Sequence, residues 1–437
     1  MRLALALLIA TLGVAENWPS FRGAGARGVA ASPDLPARWD VASGRNVAWK
    51  TEIPGLGHSS PVIWGDLVFL TTAISTNPNM VFEAKLIGQR DDRQDKFEQE
   101  FRVLALNKNT GKIVWNQLAV KRAPRVLRHP HNSYASPTTA TDGKHLIAFF
   151  GSEGLYCFDL KGRMLWKKDL GVLDQGAFDV PDYQWGAASS PVLWNSRVIL
   201  QVDMHQGSFL ASFDAATGRE LWRTPRDSKP SWSTPTVVEG PQRTEIVANG
   251  VEQILGYDAE TGKELWRLKG TSMISVPTPF TANGLLYVFT GYYRFQRRSY
   301  AIRPGAKGDI TDAKDAIAWM REEAPYLSTP VVVGERVFAF GNRGTGILRA
   351  YRATTGALLY EQRIGQGTGA SASLVASGDR VYAINEDGEV YVIQAADAYK
   401  ELAMNPMNEP VLATPAASGE LLFIRGAKHL FALRNGR

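Results

Sequence analysis

Residues 214–222 read Asp214-Ala215-Ala216-Thr217-Gly218-Arg219-Glu220-Leu221-Trp222, and 44 positions later the text returns as Asp258-Ala259-Glu260-Thr261-Gly262-Lys263-Glu264-Leu265-Trp266. The Thr-Gly pair specifies a tight turn, because glycine takes a positive φ without steric cost. A strand opens behind it. Tryptophan holds the same slot at Trp115, Trp166 and Trp319, with weaker versions at Tyr360 and Leu402. An aromatic that recurs in a periodic slot is a packing residue.

A second anchor opens each unit. Ser/Thr-Pro steps stand at Ser60-Pro61, Ser136-Pro137, Ser190-Pro191, Thr234-Pro235, Thr278-Pro279, Thr329-Pro330 and Thr414-Pro415, with a degenerate eighth at Ala372-Ser373. Counted at the second residue, the gaps are 76, 54, 44, 44, 51, 43 and 42. A base period of 42 to 44 residues fits four short strands. Between anchors the text alternates as strands do, for example in Leu67-Val68-Phe69-Leu70 and Arg380-Val381-Tyr382-Ala383-Ile384. The expectation is an all-β fold, a single eight-bladed β-propeller over residues 16–437.

Eight openings are followed by only seven closings. The missing one precedes the first opening, in Asn46-Val47-Ala48-Trp49-Lys50. Residues 46–52 are therefore expected to be the closing strand of the last blade, beside the inner runs Glu420–Ile424 and His429–Leu433. Residues 16–45 become an N-terminal arm. Such a splice leaves no free sheet edge at the seam.

Composition agrees. The 437 residues include 41 Gly and 12 Trp, as expected for glycine turns with regular aromatics. The net charge of +6 is spread along the chain, so nucleic acid is not an expected partner. Residues 1–15 have the form of a signal peptide: Arg2, an apolar run from Leu3 to Val14, and Gly13-Val14-Ala15 as a small-x-small cleavage site. The run is shorter than the ~20 residues a membrane span needs, and no later segment reaches that length. A periplasmic or secreted protein beginning at Glu16 is expected. Cys157 is the only cysteine, so no internal disulfide forms.

With strands lettered A to D from opening to tryptophan, D–A and B–C connections share one face of the disc. The A–B turns on the other face are short (Trp64-Gly65-Asp66, Asp142-Gly143-Lys144, Asn283-Gly284). The long segments 73–100, 119–135, 169–189, 203–208 and 290–298 belong to the first face, with one C–D exception at 303–314. Long loops on a rigid frame carry binding residues, so this is the expected working face. The binding candidates there are His58, His131, Trp185, His205, Trp232 and Arg294. Trp185 and Trp232 stand outside the periodic slot, so inter-blade packing does not account for them. His129-Pro130-His131 lacks further ligands at metal-motif spacing, so no metal site is expected. Lys121, Arg122, Arg125 and Arg128 read as a solvated basic loop. Tyr292-Tyr293-Arg294-Phe295-Gln296-Arg297-Arg298 mixes aromatics with cations, which suits an anionic or carbohydrate partner.

The Thr-Gly-Lys/Arg-x-Leu-Trp closings resemble the repeats of the pyrroloquinoline quinone (PQQ) type propeller family. The opening text Asn17-Trp18-Pro19-Ser20-Phe21-Arg22-Gly23 and Gly57-His58-Ser59-Ser60-Pro61 is similar to an exported bacterial branch of it. The resemblance implies two sorts of relative: PQQ-dependent alcohol dehydrogenases, and a non-catalytic propeller lipoprotein of outer-membrane assembly. The dehydrogenases carry a disulfide between neighbouring cysteines, which a single Cys157 cannot make, and their calcium ligands and aspartate base find no counterparts here. No lipid-bearing cysteine follows the leader. The function expected is therefore an exported, non-catalytic binding or scaffold protein with protein partners in the envelope. A small-molecule or glycan binder and a PQQ oxidoreductase using calcium are the alternatives, and no cofactor is expected.

Overall fold

A computed structural model describes residues 17–77, 82, 95–180, 182–240, 242–292, 296–341, 346–366 and 369–436. The leader and Arg294 lie outside this set. Eight antiparallel sheets follow one another around an axis, each ordered A-B-C-D from the inside out. Blades 1 to 7 span residues 62–122, 140–168, 192–225, 236–269, 280–321, 331–363 and 375–406. Blade 8 takes strands A to C from Ala416–Ser418, Leu421–Arg425 and His429–Leu433. Its strand D is Val47–Glu52, with Trp49 opposite Ala432 and Lys50 opposite Phe431. The N-terminus closes the ring as the repeat count requires.

Apolar packing lies between blades rather than in one centre. Clusters join blade 1 to 2, 2 to 3, and so on, and the largest binds blades 7, 8 and 1 together with Trp18, Leu35 and Trp39 of the arm. The closing motif explains the spacing. Asp214 Oδ1 accepts from the Thr217 N–H and hydroxyl, and Gly218 turns the chain at φ 70°. Trp166 of the preceding blade lies flat on that glycine; a Cβ there would come within 2.7 Å of the indole. Trp166 Nε1 donates to the Ala215 carbonyl at 2.8 Å, as Trp49 does to Lys108, Trp115 to Leu160 and Trp319 to Ala353. The turns of blades 1, 2, 3, 4 and 6 are thus the seats of their neighbours' tryptophans, whereas Trp266 donates to Glu245 of its own blade. Each tryptophan also sits opposite a small residue just after a bulge: Ala105↔Trp115, Ser212↔Trp222, Gly256↔Trp266.

Two register expectations are corrected. In blade 7 Val392 faces Ala403, so Leu402 is the bulged residue and not the slot; Trp39 of the arm packs in that same cluster. In blade 2 strand A is Ala140–Thr141, which makes Thr138 the equivalent of Ser60. Ser136-Pro137 belongs to the loop before it. The C–D exception is explained as well: Gly308–Asp309 pairs in parallel with the outer strand of blade 4 and covers its edge.

The arm does more than reach the seam. Trp18 bridges Ile63 of blade 1, the Pro19 carbonyl accepts from Thr141 of blade 2, and Val29–Ala30 adds a parallel strand on the axial side of blade 7. Between these anchors Arg22 crosses the A–B face, fully buried, and donates to the carbonyls of Ala26, Thr329, Pro330 and Leu374. Phe21, beside it, forms the floor of the axial cavity.

Candidate functional site

The axial cavity is a blind cup of about 230 Å³, floored by the arm and open toward the D–A/B–C face. Its lower wall is made by the opening residue of every blade. Ser60 N donates to Thr138 Oγ1, Thr138 N to Ser190 Oγ, and Ser190 N to Thr234 Oγ1. The chain resumes from Thr278 N to Thr329 Oγ1, Thr329 N to Ser373 Oγ, Ser373 N to Thr414 Oγ1, and Thr414 N back to Ser60 Oγ. Seven bonds of 2.9–3.1 Å thus tie eight blades, and one step, from Thr234 N to Thr278, is missing. Except at Thr278, the Ser/Thr of each opening is there because its side-chain oxygen satisfies the neighbouring blade's opening amide.

The mouth is aromatic. Trp185 and Trp232 lie 5.5 Å apart, His129 stands edge-on to Trp185 at 5.4 Å, and Tyr292 meets Tyr326 at 5.2 Å and Phe178 at 6.3 Å. Trp232 is nearly buried, and its Nε1 donates to the Gly186 carbonyl at 2.7 Å, which locks two D–A loops together. His58 meets Phe82 at a tilt, with ring centroids 4.9 Å apart, and Phe82 stacks on His131 at 6.5 Å.

Four of the six residues singled out in the sequence, His58, His131, Trp185 and Trp232, line this cup. His205 does not. Its loop is on the same face, but its backbone is bonded to Asp174 and it stands outside the lining. Arg294 lies outside the described residues. Phe178, Ile274, Tyr326 and Ser371 carry no periodic signal, and only the fold brings them to the rim.

The basic loop is not a free patch. Arg125 makes a paired contact with Asp169 at 2.7 and 2.6 Å, Arg122 meets Glu153, Lys121 meets Glu98 and Glu100, and buried Arg128 meets Asp95. These cations hold the mouth loops to the blades.

His131 Nε2 lies 3.2 Å from Ser371 Oγ and 3.3 Å from Glu386 Oε1, and Ser371 Oγ donates to that oxygen at 2.7 Å. A nucleophile relay needs hydroxyl and acid on opposite ring nitrogens. Here both meet one nitrogen, so the trio clamps the loops after blades 1 and 6 to the B–C loop of blade 7. Among the described residues no group of three or more His, Cys, Asp or Glu is placed to hold a metal.

Burial holds the His58 imidazole well below its ordinary value of 6.5, with His131, Arg425 and Arg128 adding repulsion. His58 therefore contributes stability above pH 6.5 and loses it as pH falls, because the unfolded chain takes the proton the folded one refuses. The unfolding free energy from urea titrations should fall by up to ~1.4 kcal/mol per pH unit below that point. His58→Gln should flatten the slope. An unchanged slope would mean that this imidazole titrates freely.

An eight-bladed ring of such repeats, stoppered on one face and open on the other, defines a repeat propeller of the PQQ type. The chain belongs to the family described as outer membrane protein assembly factor BamB, matched over residues 28–202 and 206–436. No curated protein matches it. Among solved structures it is similar to BamB from Moraxella catarrhalis, at 13% identity and TM-score 0.55, covering 84% of this chain and 99% of that one. A europium-containing methanol dehydrogenase is similar at 10% identity and TM-score 0.63, covering 94% and 89%. Quinohemoprotein alcohol dehydrogenase from Comamonas testosteroni gives 11% and 0.58, covering 97% and 81%. At these identities the likeness is one of fold.

The dehydrogenase likeness raises the question of a quinone. PQQ carries three carboxylates, yet no Lys or Arg is among the described lining residues, and the one lining carboxylate is Asp179. Cys157 is buried in blade 2 against the Ala215 carbonyl, and burial pushes its thiol up to about 12. The described lining residues do not fit that cofactor.

Proposed function

We propose that the chain is exported by its leader and acts in the envelope as a non-catalytic binding protein, docking a protein partner over the mouth of the cup. One observation carries this reading: a preformed recess ringed by Trp185, Trp232, Tyr292 and Tyr326, on the face where loops from several blades converge. Fully desolvated aromatic anchors in a recess are the form that interface hot spots take. The opposite face offers short turns and the arm. Family membership supports a protein partner by analogy.

The test places benzoylphenylalanine at position 185 or at position 379, in a short A–B turn, and irradiates intact cells. Covalent adducts to an envelope protein are expected from 185 and not from 379. Adducts from 379 alone would put the partner on the other face. Against the partner so identified, Trp185→Ala should weaken binding by ~1–2 kcal/mol or more.

A further inference from the structure

The lower half of the cup is rich in donors and poor in acceptors. Seven ring hydroxyls accept an N–H from the adjacent blade, and accepting that bond strengthens the O–H as a donor. Among the described residues none of the eight hydroxyl protons has a protein acceptor, although every ring residue is at most 4% exposed. Thr278 differs from the rest. Because the step from Thr234 is missing, its Oγ1 has no partner of either kind, and the residue is 1% exposed. Leaving such a hydroxyl unpaired costs about 1–3 kcal/mol, which a ligand oxygen would relieve.

Charge points the same way. Arg22 lies under the ring and holds the carbonyl of ring residue Thr329; Arg425 lies behind it and holds the Ser59 and Thr71 carbonyls and Ser59 Oγ. Both guanidiniums are fully buried, and among the described residues neither has a carboxylate partner. The two carboxylates near the cup do not cancel them: Asp179 is exposed at the rim, and Glu386 sits behind Ser371 and His131, which both contact it. Above the ring the wall turns apolar, with Trp232, Ile274 and Tyr292.

Resting on the reading of the cup as a docking site, we propose that it takes an apolar group ending in a carboxylate. The hydrocarbon lies against Trp232, Ile274 and Tyr292, and the carboxylate enters the hydroxyl ring beside Thr278. A free aromatic or branched acid and the last residue of a peptide present the same chemistry.

The test uses the full mature protein, titrated calorimetrically and by tryptophan fluorescence with 3-phenylpropionate, 3-phenylpropionamide and 3-phenylpropylamine. The acid is expected to bind at least tenfold tighter than the amide, and the amine not at all. Tetrapeptides ending in phenylalanine, with a free or an amidated terminus, separate the sources. A free-terminus peptide that outbinds the small acid assigns a chain end, and the reverse assigns a free acid. Thr278→Val abandons no N–H partner, so it should fold and melt like the parent while losing fivefold or more for the acid and nothing for the amide. Thr278→Ser should retain the selectivity. Equal binding of acid and amide, preference for the amine, or no binding of any probe overturns the proposal. If the probes fail while cross-links from position 185 persist, the docking reading stands without its carboxylate; if both fail, both fall.

Discussion

A chain that begins at Ile53, without arm or closing strand, is expected to lose the cooperative melt of the parent and to accumulate as aggregate. The missing piece supplies all backbone pairing on the outer side of His429–Leu433. It also supplies Trp49, which packs on Phe423 at 5.9 Å and bonds to blade 1 through Lys108, and Trp39, buried against Met407. Truncating one buried tryptophan costs ~3–5 kcal/mol, and two approach the ~5–15 kcal/mol that a whole domain has in hand. The edge left behind is an open template for pairing with other chains. Circular dichroism melts and sedimentation decide it. A soluble truncation melting at the parental temperature would show that blade 8 stands on three strands.

The second large effect is expected at Arg226. Its guanidinium holds Asp203 Oδ1 at 2.7 Å and Oδ2 at 3.1 Å, with neither side chain exposed, and donates to the Tyr257 hydroxyl at 2.8 Å. Ser231 and Gln201 complete the carboxylate's shell. Arg226→Leu strands a buried negative charge, and ~3–5 kcal/mol should go with it. Removing both charges, with Asp203→Leu added, should recover much of that loss, since an empty pair costs less than half of one. Asp203 is bridged to Ser231, the residue before Trp232. The single variant should therefore also shift tryptophan emission before global unfolding. Equal urea midpoints for the single variant and the parent would show that water or rearrangement compensates the charge.

Both effects come from contacts that the repeats reveal unequally. Blade number, the seam at Trp49 and the loop-rich face were legible, because Thr-Gly turns and slotted tryptophans are local patterns repeated many times. Trp185 and Trp232 were found because they break the period. The arm's route was not legible: Arg22 bonds to residues more than 300 positions away, and nothing in Phe21-Arg22-Gly23 announces a floor. Blade 2 was misread by two residues because a proline in the loop imitates the opening, while the true position, Thr138, lacks one. The Ser371–Glu386–His131 clamp joins single residues from different repeats, and such pairings leave no trace in spacing.

The seam sets an order of events. Val47 pairs with Leu433, so the first blade strand that a ribosome or an export channel delivers, after the short Val29–Ala30 of the arm, is the one whose partner arrives last. Until then Trp49 can reach its seat on the blade 1 turn but lacks Phe423 and Ala432 on its other side, and blades 1 to 7 form an open arc. Closing so long a loop adds only logarithmically to the entropy, so the burden is kinetic: the chain must be kept from its neighbours while it waits. A circular permutant starting at Ile53 and ending in residues 17–52, joined after Arg437, would deliver blade 8 in spatial order. It would shorten that wait without altering one contact within the blade.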